Sequence, residues 1–360
     1  MRLYIYIAKK FWGPFFFALG IFTTLVLLGD VFEKMKKMSN GVTTLWDVLS
    51  YSAMTVPNWL ATIIPVACLL GAIFVISEMI ANGEWTACVA GGFSPKQLFK
   101  PILACVVAVE IVTLCAQEFI IPSMNLKADE IYYTRVKRSM ETFNPNLEQD
   151  VTMNVPPNQM LFAKEVNLSS GTMTKVVVDA YEQGHISRQI VAEKMIWNPE
   201  MKKWLFADGI ERTYVDPLNT TEQYFEEKPS NVKWPPDEMS VSKVDDDLLS
   251  LRELTKRIQF YKKSGALPYA SETVRQAKLA APFVTLIMCL LGMPFSISTR
   301  RKSKLVNILA SIVIAFSFWW LISMCTSLGE NGLLYPFVAG WGPVIFFSLV
   351  VVAEFRYLKL

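Results

Sequence analysis

Residues 11–31 read FWGPFFFALGIFTTLVLLGDV, twenty-one residues whose only ionisable group, Asp30, comes one position before the end. A helix needs about 20 mostly apolar residues to cross the hydrocarbon core of a bilayer. The run is too long for the apolar segment of a secretory leader, and no small-residue cleavage site follows it. It is therefore expected to stay on the chain as a spanning helix. Five further runs of this kind lie at about 56–76, 99–121, 279–297, 305–328 and 333–353. The whole chain agrees: 52% of its 360 residues are hydrophobic and 19% charged, against about 45–50% and about 25% in ordinary soluble domains. Disorder, collagen-like structure and a simple soluble enzyme are set aside. A net charge of +3 gives no footprint for nucleic acid.

The layout is three spans, a long polar insert and three more spans. A duplicated transporter has such symmetry, but no side chains match between the halves. Lys and Arg in short loops set orientation. With the N-terminus inside, that side holds Arg2, Lys9, Lys10, Lys96, Arg300, Arg301, Lys302, Lys304, Arg356 and Lys359, and the opposite short loops hold only Lys34, Lys36 and Lys37. Both termini are expected to be cytoplasmic and the insert extracytoplasmic. The expected division is 1–121 for the first three spans, with a loop helix at about 77–92, 122–277 for the insert and 278–360 for the last three spans.

From about residue 151 the insert changes to short strand-like runs: 160–164 MLFAK, 175–181 KVVVDAY, 189–197 QIVAEKMIW, 203–207 KWLFA and 210–214 IERTY. Asn198-Pro199 and Asp208-Gly209 read as turns between them. Regular short strands with turn signals predict an all-β, jelly-roll-like domain. Before it, residues 125–140 are expected to prolong the third spanning helix outward. After it, Asp245–Asp247 read as the cap and acidic first turn of a helix whose Leu248, Leu251, Leu254 and Ile258 lie on one face, with Glu253 and Arg257 four apart.

Catalytic motifs are missing. There is no phosphate-binding G-x-x-x-x-G-K-[ST] loop, no G-x-S-x-G, no H-E-x-x-H and no His-based triad. Six cysteines match no zinc or redox spacing, and the single His185 reads as a surface residue. No metal site and no catalytic residue is expected. Glu110 and Glu118 lie eight apart in the third span, where a proton-coupled role competes with simple packing. In the loop between spans two and three, residues 84–90 can form a short helix. Gly91-Gly92 would end it, and Ser94-Pro95 would start the next helix by a cap with Pro at its first position. Such a helix can fit a groove on a soluble partner, with Glu84 offered to an Arg or Lys; the alternative, an interfacial helix touching only lipid, is disfavoured because such helices usually carry Lys or Arg and this one carries Glu84. The lysines at the end of span one read either as a snorkelling helix end or as point charges for phosphate.

Taken in order, these pieces resemble one family. They are YIYIAKKFWGPFFF at 4–17 with FEKMKK at 32–37, then PNWL at 57–60 with IPV at 64–66 and LLGA at 69–72. NGEWTACVAGGFSP at 82–95, LRELTKRIQFYKKSG at 251–265 and LGMPFSISTRRK at 291–302 follow. Together with the three-insert-three layout, this is similar to the lipopolysaccharide-export permeases of the LptF/LptG type, nearer the LptG branch, over almost the full chain.

The resemblance implies an α-helical membrane protein of six transmembrane helices with an inserted β-jellyroll periplasmic domain. It implies a permease subunit of an ABC exporter in the bacterial inner membrane, paired with a second LptF-like chain on an LptB-like ATPase dimer. ATP and Mg would be bound by that ATPase, so this chain would need no cofactor. Lipopolysaccharide would leave the membrane through a lateral gate between spans one and five, passing to an LptC-like protein and the periplasmic bridge. The resemblance assigns ATPase coupling to Glu84, Trp85 and Gly91, and the substrate's phosphates to Lys36 and Lys37 with Lys34 nearby. Asp30 stands where some relatives have a lysine.

An amphiphile with acyl chains and phosphates needs an apolar cavity with a cationic rim. Phe22, Leu25, Leu28, Phe316 and Trp319 are the principal candidates to line it, with Phe15, Phe16, Phe17, Phe318 and Leu321 beside them; each also suits plain packing or lipid contact. Two other readings remain: a proton- or ion-coupled secondary lipid transporter, and a membrane scaffold that does not transport.

Overall fold

The computed structural model describes residues 2–37, 44–132, 134, 147–216, 219–236, 238–239, 244–298 and 304–357. The chain divides into two compact units: Met1–Ser139 with Glu272–Leu360, and Met140–Ser271.

The first unit is helical. Its elements are α1 (Arg2–Lys37), α2 (Leu45–Ala81), α3 (Glu84–Ala90), α4 (Pro95–Cys115), α5 (Ile121–Ile131), α7 (Tyr269–Ser298), α8 (Lys304–Glu330) and α9 (Pro336–Tyr357). Six of the described helices are long and apolar enough to cross a membrane; five of the runs expected from sequence fall within them, and the sixth, expected from about 333, starts at Pro336 after a turn. The helix of α4 continues through a widened turn, Ala116–Ile120, into α5. Pro122 explains the widening, because its ring clashes with the carbonyl four residues back and it has no N–H to donate there. α5 thus prolongs the third span as anticipated. Residues 135–140, also expected in that extension, lie outside the described residues.

α2 is the central strut of the unit. One of its faces joins a core with Ile7, Phe11 and Phe15 of α1, Leu98, Phe99 and Ile102 of α4, and Cys289 and Met293 of α7. Leu69 and Ile73 on another face meet Ile287, Met288 and Leu291 of α7 and, in the same cluster, Phe318 of α8 and Val344 of α9. Close approach depends on glycine, as is usual between helices in lipid, where association relies on tight packing. A Cβ on Gly292 of α7 would stand 2.4 Å from Leu69 Cδ1.

The second unit carries a six-stranded antiparallel sheet with its strands in chain order: β1 (Leu147–Val155), β2 (Gln159–Asn167), β3 (Thr172–Glu182), β4 (His185–Asn198), β5 (Lys203–Asp216) and β6 (Asn219–Pro229). Alternation with period two buries one face. Val151, Leu161, Ala163, Val176, Ile190, Met195, Trp204 and Phe206 line it, covered by Val232, Trp234 and Met239 and by Phe260 of α6 (Leu251–Lys263).

The expected turn at Asn198-Pro199 is present, its Asn198 side chain accepting from the Glu200 and Met201 amides at 3.0 and 3.1 Å. The expected turn at Asp208-Gly209 is not. Lys203 to Asp216 is one strand, with Asp208 at a φ of 53°. Gly209 lies under the Phe225 ring, where a Cβ would stand 2.4 Å from the ring. The dipeptide kinks the strand and admits an aromatic neighbour.

The helix after the sheet also starts later than its acidic run suggested. Asp246–Leu248 form a separate 3-10 turn, and α6 is capped by Ser250 and Glu253, which bond reciprocally. Arg257 donates to Asp246 Oδ1 and to the Val244 carbonyl, both at 2.7 Å, and Ser271 donates to Asp246 Oδ2 at 2.6 Å. The aspartate therefore braces this segment from outside the helix.

Candidate functional site

The loop between α2 and α4 has the local grammar its sequence predicts. Gly83, at a φ of 75°, leads into α3. At the other end the Gly92 N–H donates to the Val89 carbonyl and the Phe93 N–H to the Cys88 carbonyl, at 3.0 and 3.1 Å. With Gly92 at a φ of 88°, this is the Schellman arrangement that stops a helix. Gly91 is the residue at the helix boundary. Ser94 then caps α4, exchanging hydrogen bonds with Gln97, and Pro95 opens it.

Two side chains fix α3 to the bundle. Trp85 is buried, with its ring 6.0 Å from Phe99 of α4; Phe99 in turn lies 6.1 Å from Phe355 of α9. Glu84 turns to α1. Tyr6 Oη donates to Glu84 Oε1 at 3.0 Å, and Lys10 Nζ donates to Oε1 and Oε2 at 2.9 and 3.1 Å. Lys10 also pairs with Glu78 of α2 at 3.2 Å. Burial alone would push the Glu84 carboxyl up. The hydrogen bonds from Lys10 and Tyr6, with the Lys10 charge, outweigh it and hold the carboxyl below the ordinary glutamate range. Thr86, Ala87, Val89, Ala90, Gly91 and Phe93 stay exposed. Thr86, Ala87, Ala90 and Gly91 keep much of that surface low, and Val89 and Phe93 are its exposed apolar side chains.

Sequence reading missed Tyr6 and Lys10 as members of this site. Lys10 counted only as an orientation charge. Its partner is 74 positions away, and no local pattern joins them.

The gate candidates divide. Phe15 and Phe318 belong to the core of this chain, and Phe22 packs against it. Phe16, Phe17, Leu25 and Leu28 of α1 are exposed, as are Phe316 and Trp319 of α8, whereas Leu321 is half-buried. Spans one and five bury the smallest share of their apolar windows, 17% each, against 56% for span two. Lys34, Lys36 and Lys37 fall at the end of α1, but their side chains lie outside the described residues, as do Arg300, Arg301 and Lys302. Asp30 accepts a hydrogen bond from Ser52 of α2 at 2.9 Å, so within this chain it helps tie spans one and two. Glu110 is buried in α4, and Glu118 is half-buried in the widened turn. His185 is an exposed residue at the start of β4, and all six cysteines are free thiols. Among the described residues no cluster of His, Cys, Asp or Glu could hold a metal ion.

Comparison with known proteins agrees with this architecture. The profile described as "Lipopolysaccharide export system permease LptF/LptG" matches residues 5–357. The lipopolysaccharide export system permease protein LptG of Haemophilus influenzae is 21% identical over 343 residues, covering 94% of this chain and 93% of that protein. The LptG protein of Escherichia coli K12 is 20% identical over 326 residues, covering 88% and 87%. The chain belongs to the lipopolysaccharide export permease family LptF/LptG.

Proposed function

We propose that this chain is a permease subunit of an ATP-driven exporter that extracts lipopolysaccharide from the inner membrane and passes it to a periplasmic bridge. The observation that carries the reading is α3. It is a short helix locked to the bundle by Trp85, with Thr86, Ala87, Ala90 and the apolar Val89 outward and an acidic side chain at its first position. A helix so held passes a push from a soluble partner into the spans, because its anchor is the bundle core itself. The chain has no phosphate-binding loop of its own, so nucleotide hydrolysis falls to a separate ATPase, an LptB-like dimer, whose arginine would meet Glu84.

The loop charges favour cytoplasmic termini and a periplasmic β unit, which puts α3 on the side where ATP is. The wide apolar faces of α1 and α8 suit a lateral gate, completed by a second, LptF-like chain. Moving an acyl chain through water costs about 0.8 kcal/mol per methylene, so such walls keep the chain covered on its way out. The hand-over to an LptC-like protein would fall to the β unit. Lys34, Lys36 and Lys37 would meet the head-group phosphates.

The test is to isolate the chain in mild detergent and identify its companions and bound lipid by native mass spectrometry. Co-purification of an ATPase and a second six-span chain, lost on Glu84→Arg, supports the reading. Lipopolysaccharide extraction by the chain alone in vesicles, with no ATPase present, overturns it.

A further inference from the structure

We infer that Lys10 is a positioning residue, which ties the N-terminal end of the first span to the loop helix through Glu84, so that a displacement of α3 is handed directly to α1. The inference rests on the proposed docking of an ATPase at α3 and goes beyond it, by naming the route from that surface to a gate helix.

Lys10 Nζ lies between two carboxylates, Glu84 of α3 and Glu78 of α2, and 4.9 Å from the centre of the Tyr6 ring. Tyr6 and Lys10 are four residues apart, so they share one face of α1, and both reach the same Glu84 carboxylate. The Lys10 side chain is only 17% exposed, where a charge-assisted hydrogen bond is poorly screened and directional. Ile7 and Phe11, beside them on α1, are fully buried in the core that also holds Trp85. The apolar packing already holds α3 in place, so Lys10 is not required merely to dock it. What Lys10 adds is a polar strut between α1 and the residue offered to the partner. One ammonium faces two carboxylates. The cluster therefore keeps a surplus negative charge and still attracts a cationic side chain while Lys10 is bound. Glu84 is thus held in one orientation before docking, and a partner that pulls on it pulls on α1.

The test uses the full complex of this chain, its second permease chain and the ATPase, reconstituted in vesicles containing lipopolysaccharide. Two quantities are read: the ATPase retained on the purified permease, and the lipid released per ATP hydrolysed. Lys10→Met is expected to lower the lipid released per ATP about tenfold, and Lys10→Arg to restore it to within about twofold, since a tenfold loss corresponds to about 1.4 kcal/mol of coupling. In a Glu84→Gln background, Lys10→Met is expected to change nothing further. A wild-type ratio in Lys10→Met, failure of Lys10→Arg to restore it, or effects that multiply in the double variant each overturn the strut. If Glu84→Arg still retains its ATPase, the docking reading falls and the strut with it. If Glu84→Arg loses the ATPase while Lys10→Met keeps the full ratio, the strut alone falls.

Discussion

The Trp85 ring lies 6.0 Å from that of Phe99 at an interplanar angle of 33°, and this pair joins the loop helix to the third span. Trp85 is the only buried side chain of α3, and it fills the space where α1, α2 and α4 share one core. Replacing a buried Trp by Ala costs about 3–5 kcal/mol. A seven-residue helix has no independent stability to set against that. Trp85→Ala is therefore expected to free the loop while leaving the spans folded. Limited trypsin digestion after the exposed Lys96 checks it: cleavage there should accelerate, and the proposed ATPase should no longer co-purify. Trp85→Phe should fall between the two.

The Glu84 carboxyl gives a pH test with a defined sign. Its pKa in the fold is depressed: burial opposes the charge, but the Lys10 and Tyr6 hydrogen bonds prevail. A depressed carboxyl contributes stability above its unfolded value, about 4.3 for Glu, and the contribution disappears as pH falls through the lower folded value. The difference in melting temperature between the wild type and Glu84→Gln is expected to be constant from about pH 7 to about pH 5 and to vanish in more acidic buffer. A difference that faded between neutral pH and about pH 5 would mean that Glu84 is not held by a cation.

Much of this arrangement was legible in the sequence because it is local. Gly91-Gly92-Phe93-Ser94-Pro95 specifies a helix stop followed at once by a helix start, and the backbone does both. The spans declare themselves by length alone. The strands β2, β3 and β4 show as short apolar runs between turn signals, whereas β6, NTTEQYFEEKP, is mostly polar and gives no such run to read. Two further features were hidden for different reasons. Spanning helices are apolar all round, so nothing in their sequence separates Phe15, which is core, from Phe16, which faces out. Only the tertiary partner makes that distinction. The Lys10–Glu84 contact joins separate helices, and pairing across such a gap leaves no periodic trace.

Trp204 tests the β unit independently of the spans. Its ring is fully buried and its Nε1 donates to the Trp234 carbonyl at 2.7 Å, joining strand β5 to the segment that covers the sheet. Trp204→Phe keeps most of the volume and removes the donor, leaving a buried carbonyl unpaired at a cost of about 1–3 kcal/mol. Trp204→Ala adds a cavity, for about 3–5 kcal/mol in all. Hydrogen exchange on the full chain should show faster exchange in β4 and β5 in that order of severity, with the amides of α2 and α7 unaffected. Equal protection of the strands in both variants would mean that the covering segment does not stabilise the sheet.

The exposed faces of α1 and α8 make a prediction that separates a gate from ordinary lipid contact. Leu25 and Trp319 are 58% and 61% exposed, whereas Phe15 and Phe318 are 3% and 0% exposed. A photo-crosslinking residue at a core position meets only protein. One at an outward position meets whatever occupies that face in the working complex. If the face is a gate, crosslinkers at Leu25 and Trp319 should capture lipopolysaccharide, and ATP should lower the yield as substrate leaves, while crosslinkers at Phe15 and Phe318 should capture none. Exposure to bulk membrane alone gives a different result: phospholipid adducts at both outward positions, indifferent to ATP. The sensitivity to nucleotide is the discriminating measurement, because a static lipid contact has no reason to change when a distant ATPase turns over.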